Sequence, residues 1–196
     1  MIEQQYKIVA NTITNRRSLK PEMMASKQID DQIIKELLEL ANWAPNHALT
    51  QPWRFNVYCG KGREVLGSQL SSLYKKHSSE TEFKVLKFEK MQARPPKASH
   101  IISIGMKRME NEKLPEVEEI AAVACAVQNI CLAAYSLGIG SYWGSGGMIY
   151  HPEFRTWLDL GEKDQVLGLL YLGYPLGDWP ASSRTSIDSK VKWIKD

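Results

Sequence analysis

The chain has 196 residues, three cysteines and a formal net charge of +3. That length fits one domain with ample apolar material for a core. The charge excess is small and its basic pairs are short (Arg16-Arg17, Lys75-Lys76), so there is no stripe for nucleic acid, and three widely spaced cysteines build no disulfide framework.

No C-x-x-C or H-E-x-x-H occurs and the four histidines are scattered, so neither a zinc nor an iron site is signalled. Residues Met1–Asn11 hold no continuous apolar run, so no secretory signal is expected. No stretch reads as the roughly 20 apolar residues of a membrane span. The expectation is a cytoplasmic protein that engages neither membrane nor nucleic acid.

In chain order, a short helix over Met1–Thr14 leads into a polar, extended segment, Arg16–Lys27. Ile29, Asp30 and Ile34 then match a hydrophobic staple around an N-cap, and Ile33, Ile34, Leu37, Leu38 and Ala41 continue at helical spacing until Pro45. Residues Pro45–Pro52 form a loop. Trp53, Phe55, Val57 and Cys59 alternate with polar neighbours, which predicts a strand with that set buried. Val65, Leu66, Gln69, Leu70 and Leu73 mark a helix. Ser78–Lys97 is polar and without a clear period, His100–Met106 is a short apolar strand, and Lys107–Glu116 is a charged loop.

Glu118–Leu137 is the strongest element, apolar around well over half its circumference, and predicts a buried central helix with Gly138 just past its end. A strand at Ser141–Trp143, a glycine-rich turn, a short helix from Pro152 and an apolar strand at Gln165–Leu172 follow. The tail, about residues 176–196, carries Trp179, Ile187, Val191, Trp193 and Ile194 and is expected to pack on a partner subunit. Strands and helices alternate too irregularly for repeated βαβ units, so the fold class is α+β, a sheet sandwiched by helices in one domain over 1–196.

Four segments could carry chemistry. Gly138–Gly144 imitates a dinucleotide fingerprint, but its spacing is wrong and it follows a helix instead of a strand, which excludes a Rossmann turn. Arg16, Arg17 and Ser18, with Lys20, could grip a phosphate through guanidinium forks and a hydroxyl; a solvated basic loop is the plainer alternative. The loop Trp43–Trp53 sets Asn46, His47 and Gln51 among aromatics and prolines, which suits the edge and face of a planar heteroaromatic ring, or a rigid connection. Tyr142-Trp143-Gly144-Ser145-Gly146 offers backbone N–H groups to a ligand edge, or is a plain glycine turn. Cys125 and Cys131, on the central helix, read as small core residues rather than nucleophiles, and His151 as a helix cap. No nucleophile motif or acid–base pair is present, so a bound cofactor is left to do the chemistry.

Taken together, the Arg16–Ser18 motif, the stretch Ala44–Phe55 (A-P-N-H-A-L-T-Q-P-W-R-F), the helix Ala121–Gly140, Tyr142–Gly146 (Y-W-G-S-G) and Val166–Pro175 resemble the nitroreductase family, most closely its small single-domain branch. The resemblance runs from about Ile13 to Ser186. It implies a central, mainly antiparallel sheet flanked by helices, in an intertwined homodimer with FMN at the interface. It further implies that Arg16, Arg17, Ser18 and Lys20 hold the FMN phosphate and ribityl chain. Trp43, His47 and Gln51 would reach the flavin of the other subunit; Tyr142, Trp143, Gly144 and Ser145 would line it; and Arg184 would join the phosphate shell. The implied activity is ping-pong hydride transfer through flavin N5 from NADH or NADPH to nitroaromatic, quinone or related small aromatic acceptors. No metal and no catalytic side chain are expected.

Three departures stand out. Gly144 replaces the arginine common in this branch, His47 and Leu49 stand where Ser and Asn are more widespread, and Lys20 replaces an arginine, giving up a fork for a point charge. A reductase specialised for one substrate, and a flavin-binding protein without efficient turnover, are the alternatives.

Overall fold

The structure, a computed structural model, describes residues 1–195; Asp196, the last residue of the expected tail, lies outside them. Four antiparallel strands form one sheet: β1 (Trp53–Tyr58), β2 (His100–Met106), β3 (Gly140–Gly144) and β4 (Gln165–Gly173), in the order β1-β2-β4-β3. Six helices surround it: α1 (Ile2–Asn15), α2 (Asp31–Ala41), α3 (Gly62–Lys76), α4 (Val85–Ala93), α5 (Glu116–Ser136) and α6 (Pro152–Trp157).

The two inner strands carry continuous apolar runs because both of their faces are covered. On one face Ile102, Ile104, Leu170 and Leu172 meet Ile34 and Leu37 of α2 and Val123, Val127 and Ile130 of α5. On the other, Ile101, Leu169 and Tyr171 meet Leu66, Leu70 and Leu73 of α3 and Phe154 of α6. The α+β sandwich expected from the sequence is therefore present, with the core on both sides of the β2–β4 pair.

Local signals acted as their chemistry demands. Asp30 caps α2, its carboxylate accepting from Gln32 N at 2.8 Å, and Ile29 and Ile34 are both buried beside it. Gly138, at φ 71°, closes α5: its N–H bonds Tyr135 O at 2.9 Å and Ile139 N bonds Ala134 O at 2.9 Å, the paired arrangement that a left-handed residue permits. His151 caps α6 through Nδ1, which accepts from Glu153 N at 3.2 Å.

Several expectations need correction. Val57 is 40% exposed and Cys59 is exposed, because β1 is an edge strand paired on one side only. The unassigned stretch Ser78–Lys97 contains α4, which lies against α3. Helix α5 buries only one face, Glu119, Ala122, Val123, Ala126, Val127, Ile130, Cys131 and Ala134; Cys125, expected in the core, is exposed with Val117 and Ala121. By length and composition α5 does qualify as a membrane-spanning helix, contrary to the sequence expectation. Its packing on the sheet accounts for that apolar run, and Glu119 on its buried face pairs with Arg108 and accepts from Met109 N at 2.9 Å.

Candidate functional site

The Arg16–Lys20 segment leaves the end of α1 and docks on the open edge of β3. Ser18 bridges Ser141 in parallel, and Leu19 N donates to Ser141 O at 2.9 Å. The contact is close because position 140 is glycine: a Cβ there would stand 2.3 Å from the Leu19 side chain. Leu19, 1% exposed, thus anchors a motif whose cationic neighbours stay near the surface. Arg17 donates to Thr14 O at 2.7 Å, and neither Arg16 nor Arg17 has an acidic partner among the described residues. The Arg16 charge reaches inward as well. Burial raises the Cys131 thiol pKa, while a Ser141 hydrogen bond and the Arg16 charge offset part of that rise. Cys131 is accordingly a protonated core residue and no nucleophile.

The turn after β3 is open. Gly146 and Gly147 hold φ of 92° and 57°, a Cβ on either would meet nothing within 4 Å, and the N–H groups of Ser145 and Gly146 have no partner among the described residues. Such free, adjacent donors form an acceptor-binding concavity. Trp143 is clamped beside it: its indole N–H donates to Leu167 O at 2.9 Å, and the ring lies across Gly168, where a Cβ would be 2.3 Å from Nε1. Gly168 is a site-shaping residue that the sequence reading did not single out, since a lone glycine inside an apolar strand does not show what lies over it.

Two cavities adjoin this edge and share Lys90 and Arg94. One, of ≈ 770 Å³, takes in Lys20 and Tyr142; the other, of ≈ 230 Å³, takes in Lys87, Ser145, Gly146 and Tyr171. Arg94 lies 4.9 Å over the Tyr142 ring and 5.7 Å over that of Tyr171, with Glu22 3.3 Å from its Nε. Burial pushes the Tyr171 hydroxyl pKa up to about 12 against the lowering effect of Arg94, so it remains a phenol at neutral pH. Lys87, Lys90 and Arg94 were missed in the sequence, although their spacing of three and four residues was the signal of one helical face.

The second half of the candidate site lies elsewhere. In the loop before β1, Ala48, Leu49 and Gln51 hold φ of 51°, 54° and 44°, each disfavoured for a residue with a Cβ. Asn46 braces the bend by accepting from Gln51 N at 3.0 Å, and His47 Nδ1 lies 2.6 Å from Glu118 Oε2 on α5. Trp43 is 83% exposed. Such strain is tolerated where the surroundings fix it, and it concentrates at binding sites.

The two halves lie on opposite edges of the sheet. Trp53 at the start of β1 pairs with Met106, which pairs with Gln165 at the start of β4, while Gly144 at the end of β3 pairs with Leu169 midway along β4, and Ser141, which Ser18 bridges, pairs with Leu172. Three strand spacings separate the edges, roughly 14 Å. The chain thus brings together Arg16, Arg17, Ser18, Lys20, Tyr142, Trp143, Gly144 and Ser145, and keeps Trp43, His47 and Gln51 apart from them. Arg184 joins neither group; it donates to Ser182 Oγ at 2.6 Å and Ser183 O at 2.8 Å within the tail.

The donor set of the β3 edge fits a phosphorylated, flat, acceptor-rich molecule such as FMN. It has two guanidinium groups without acidic partners for a phosphate, free backbone N–H groups for ring heteroatoms, and glycines that leave room for close approach.

Residues 13–174 match the model of the Nitroreductase family. An Escherichia coli (strain K12) protein named "Putative NAD(P)H nitroreductase YdjA" is 31% identical over 163 residues, covering 83% of this chain and 86% of that protein. The structure of a nitroreductase-like family protein from Bacillus cereus superposes with a TM-score of 0.81 at 28% identity, covering 96% of each chain. A nitroreductase with bound FMN from Bacteroides fragilis superposes at 0.69 with 23% identity, over 95% of this chain and 98% of that one, a likeness of fold. Sequence match, architecture and edge chemistry agree that this chain belongs to the nitroreductase family.

Proposed function

We propose that the chain is an FMN-dependent NAD(P)H oxidoreductase, working as a homodimer with FMN between its subunits and reducing small electron-poor acceptors such as nitroaromatics and quinones. The observation that carries this reading is the split site: two complementary sets of ligand-binding groups on opposite edges of one sheet. A two-fold partner would bring the His47 loop of one subunit against the β3 edge of the other.

The uncovered apolar surface supports the same arrangement. No residue of α1 is buried, and Ile2, Tyr6, Ile8, Val9 and Ile13 are each more than half exposed. The outer face of α5 and the tail's Ile187, Trp193 and Ile194 add to it. A surface of this kind is expected to be covered, and the tail, about 176–196, is assigned to the partner on that ground.

When bound, FMN would supply the redox chemistry between NADH or NADPH and the acceptor. The protein's part is binding and orientation. Arg16 and Arg17 would hold the phosphate, with Ser18 and Lys20 beside them, and the unpartnered Ser145 and Gly146 N–H groups would donate to acceptor atoms of the ring. Trp143, held over Gly168, and Tyr142 and Gly144 shape the wall. Trp43, His47 and Gln51 close the partner's site, and Arg184 enters the phosphate shell only when the tail is seated on the partner. Lys87, Lys90 and Arg94 give the cleft a positive rim suited to the phosphates of a dinucleotide. With three free cysteines, a reducing cytoplasmic setting is the matching location.

The test is the absorbance spectrum of the purified protein, followed by anaerobic NADH and then NADPH. Flavin peaks that bleach on addition are the expected result. A colourless protein that takes up no FMN would refute the reading, and a yellow one that never bleaches would reduce it to a flavin-binding role.

A further inference from the structure

Where β1 ends and β2 begins, an imidazole, a thiol and a carboxylate converge from three elements. His100 opens β2, Cys59 follows β1 and Asp31 begins α2. One ligand atom of each lies within 4.8 Å of the other two. The His100 ring is 3% exposed and held at both nitrogens, Nδ1 2.9 Å from Ser99 Oγ and Nε2 2.9 Å from Asp31 Oδ1. Ser99 Oγ also accepts from Ile29 N at 2.7 Å, so the ring is anchored through the backbone ahead of α2. Cys59 and Asp31, by contrast, are exposed.

We propose that Asp31, Cys59 and His100 form a zinc-binding site. Zinc bonds of about 2.0–2.3 Å at tetrahedral angles set neighbouring donors about 3.3–3.6 Å apart. Closing the triad therefore requires movements of no more than about 1.5 Å, within reach of the two exposed side chains while the imidazole stays fixed. One nitrogen, one sulfur and one oxygen donor form a borderline set that takes Zn²⁺ and rejects the oxygen-seeking Mg²⁺ and Ca²⁺. The surroundings satisfy the bound state as well. With zinc on Nε2, the imidazole carries its proton on Nδ1 and donates to Ser99 Oγ, whose second lone pair still accepts from Ile29 N. The thiol proton goes to solvent, and a water takes the fourth position.

A second cluster, His77, His151 and Glu153, shows why the donor count alone is not enough. Lys76 Nζ lies 2.9 and 2.8 Å from the two Glu153 oxygens. His151 Nδ1 already accepts from Glu153 N, so the neutral ring keeps its proton on Nε2. An ion there would have to displace the ammonium and break the α6 cap. At His100 nothing comparable stands in the way.

The test titrates reduced, purified protein with Zn²⁺ and separately with Co²⁺, recording flavin content in the same samples. The expected result is one ion per chain with a Kd below about 1 µM, a thiolate-to-cobalt charge-transfer band in the near ultraviolet, a higher melting temperature and unchanged flavin content. Cys59→Ser should abolish the band and weaken Zn²⁺ at least tenfold, Asp31→Asn should weaken it too, and His77→Gln should change nothing. Both ligand substitutions fall on exposed side chains, and melting curves without metal check that the variants fold. Absence of saturable binding, equal affinity in Cys59→Ser, or loss on His77→Gln instead would each overturn the assignment.

Discussion

At the β3 edge two glycines are covered so closely that neither leaves room for a methyl: Leu19 fills the space over Gly140, and the Trp143 indole fills the space over Gly168 on β4. At the β1 edge the loop before the strand runs through three non-glycine residues in the left-handed region while leaving Trp43 and Leu49 bare. The first edge is packed within one chain, and its cationic segment is tied to β3 by backbone bonds. The second holds an unfavourable backbone shape without burying anything in return, as a surface shaped for another molecule would. If that contrast is right, equivalent disturbances at the two edges have different consequences.

The largest effect is expected from Arg16→Ala with Arg17→Ala. Two charge-assisted phosphate contacts are each worth about 1.5–3 kcal/mol, so FMN affinity should fall by roughly 10²- to 10⁴-fold. Both side chains reach the surface, so the melting temperature of the apoprotein should hardly move. Ultrafiltration followed by flavin fluorescence reads the loss, and a double variant that retains stoichiometric FMN would remove the phosphate role.

Next comes Gly140→Ala. The new methyl would collide with Leu19 and force that segment off β3, at a cost of about 1–3 kcal/mol, measurable by urea denaturation. The opposite sign is expected at the other edge. Leu49 is 81% exposed at φ 54°, so Leu49→Gly removes strain while losing no packing. Against this stands the extra entropy of glycine in the unfolded chain, which leaves stability unchanged or higher by up to about 1 kcal/mol. A fall in stability at Leu49→Gly larger than that at Gly140→Ala would reverse the comparison.

How much of this could be read in the sequence depended on which forces act locally. Caps and breakers are local, so the α2 staple, Gly138 and His151 were foreseen with their roles. Helix α4 was not, because Val85 and Leu86 are 58% and 80% exposed and no apolar stripe marks it. Val57, Cys59 and Cys125 were placed in the core because residue type records that a side chain is apolar, not whether this chain or another covers it. Motif residues at the β3 edge were legible because glycine and arginine serve there through backbone proximity and charge. The strain at Ala48, Leu49 and Gln51 was not, since none of these residues advertises a positive φ. The Asp31–Cys59–His100 cluster was invisible for a further reason: its members are brought together only by strand order.

The smallest stability effect is expected from His47→Ala, and it separates scaffold from site most directly. The pair His47–Glu118 is short, but its side chains are 59% and 42% exposed, so solvent and salt screen it to within about 0.5 kcal/mol. As a scaffold contact alone, its removal should leave flavin content untouched and shift the urea midpoint slightly, less so at high salt. As the group that closes the partner's site, its removal should lower FMN affinity measurably with the midpoint unchanged, and Glu118→Gln should follow in the same direction by releasing the imidazole. A dilution series then gives the deciding readout. If His47 acts across the interface, the variant's flavin release depends on protein concentration more steeply than the parent's, because losing the partner and losing the ligand become one event.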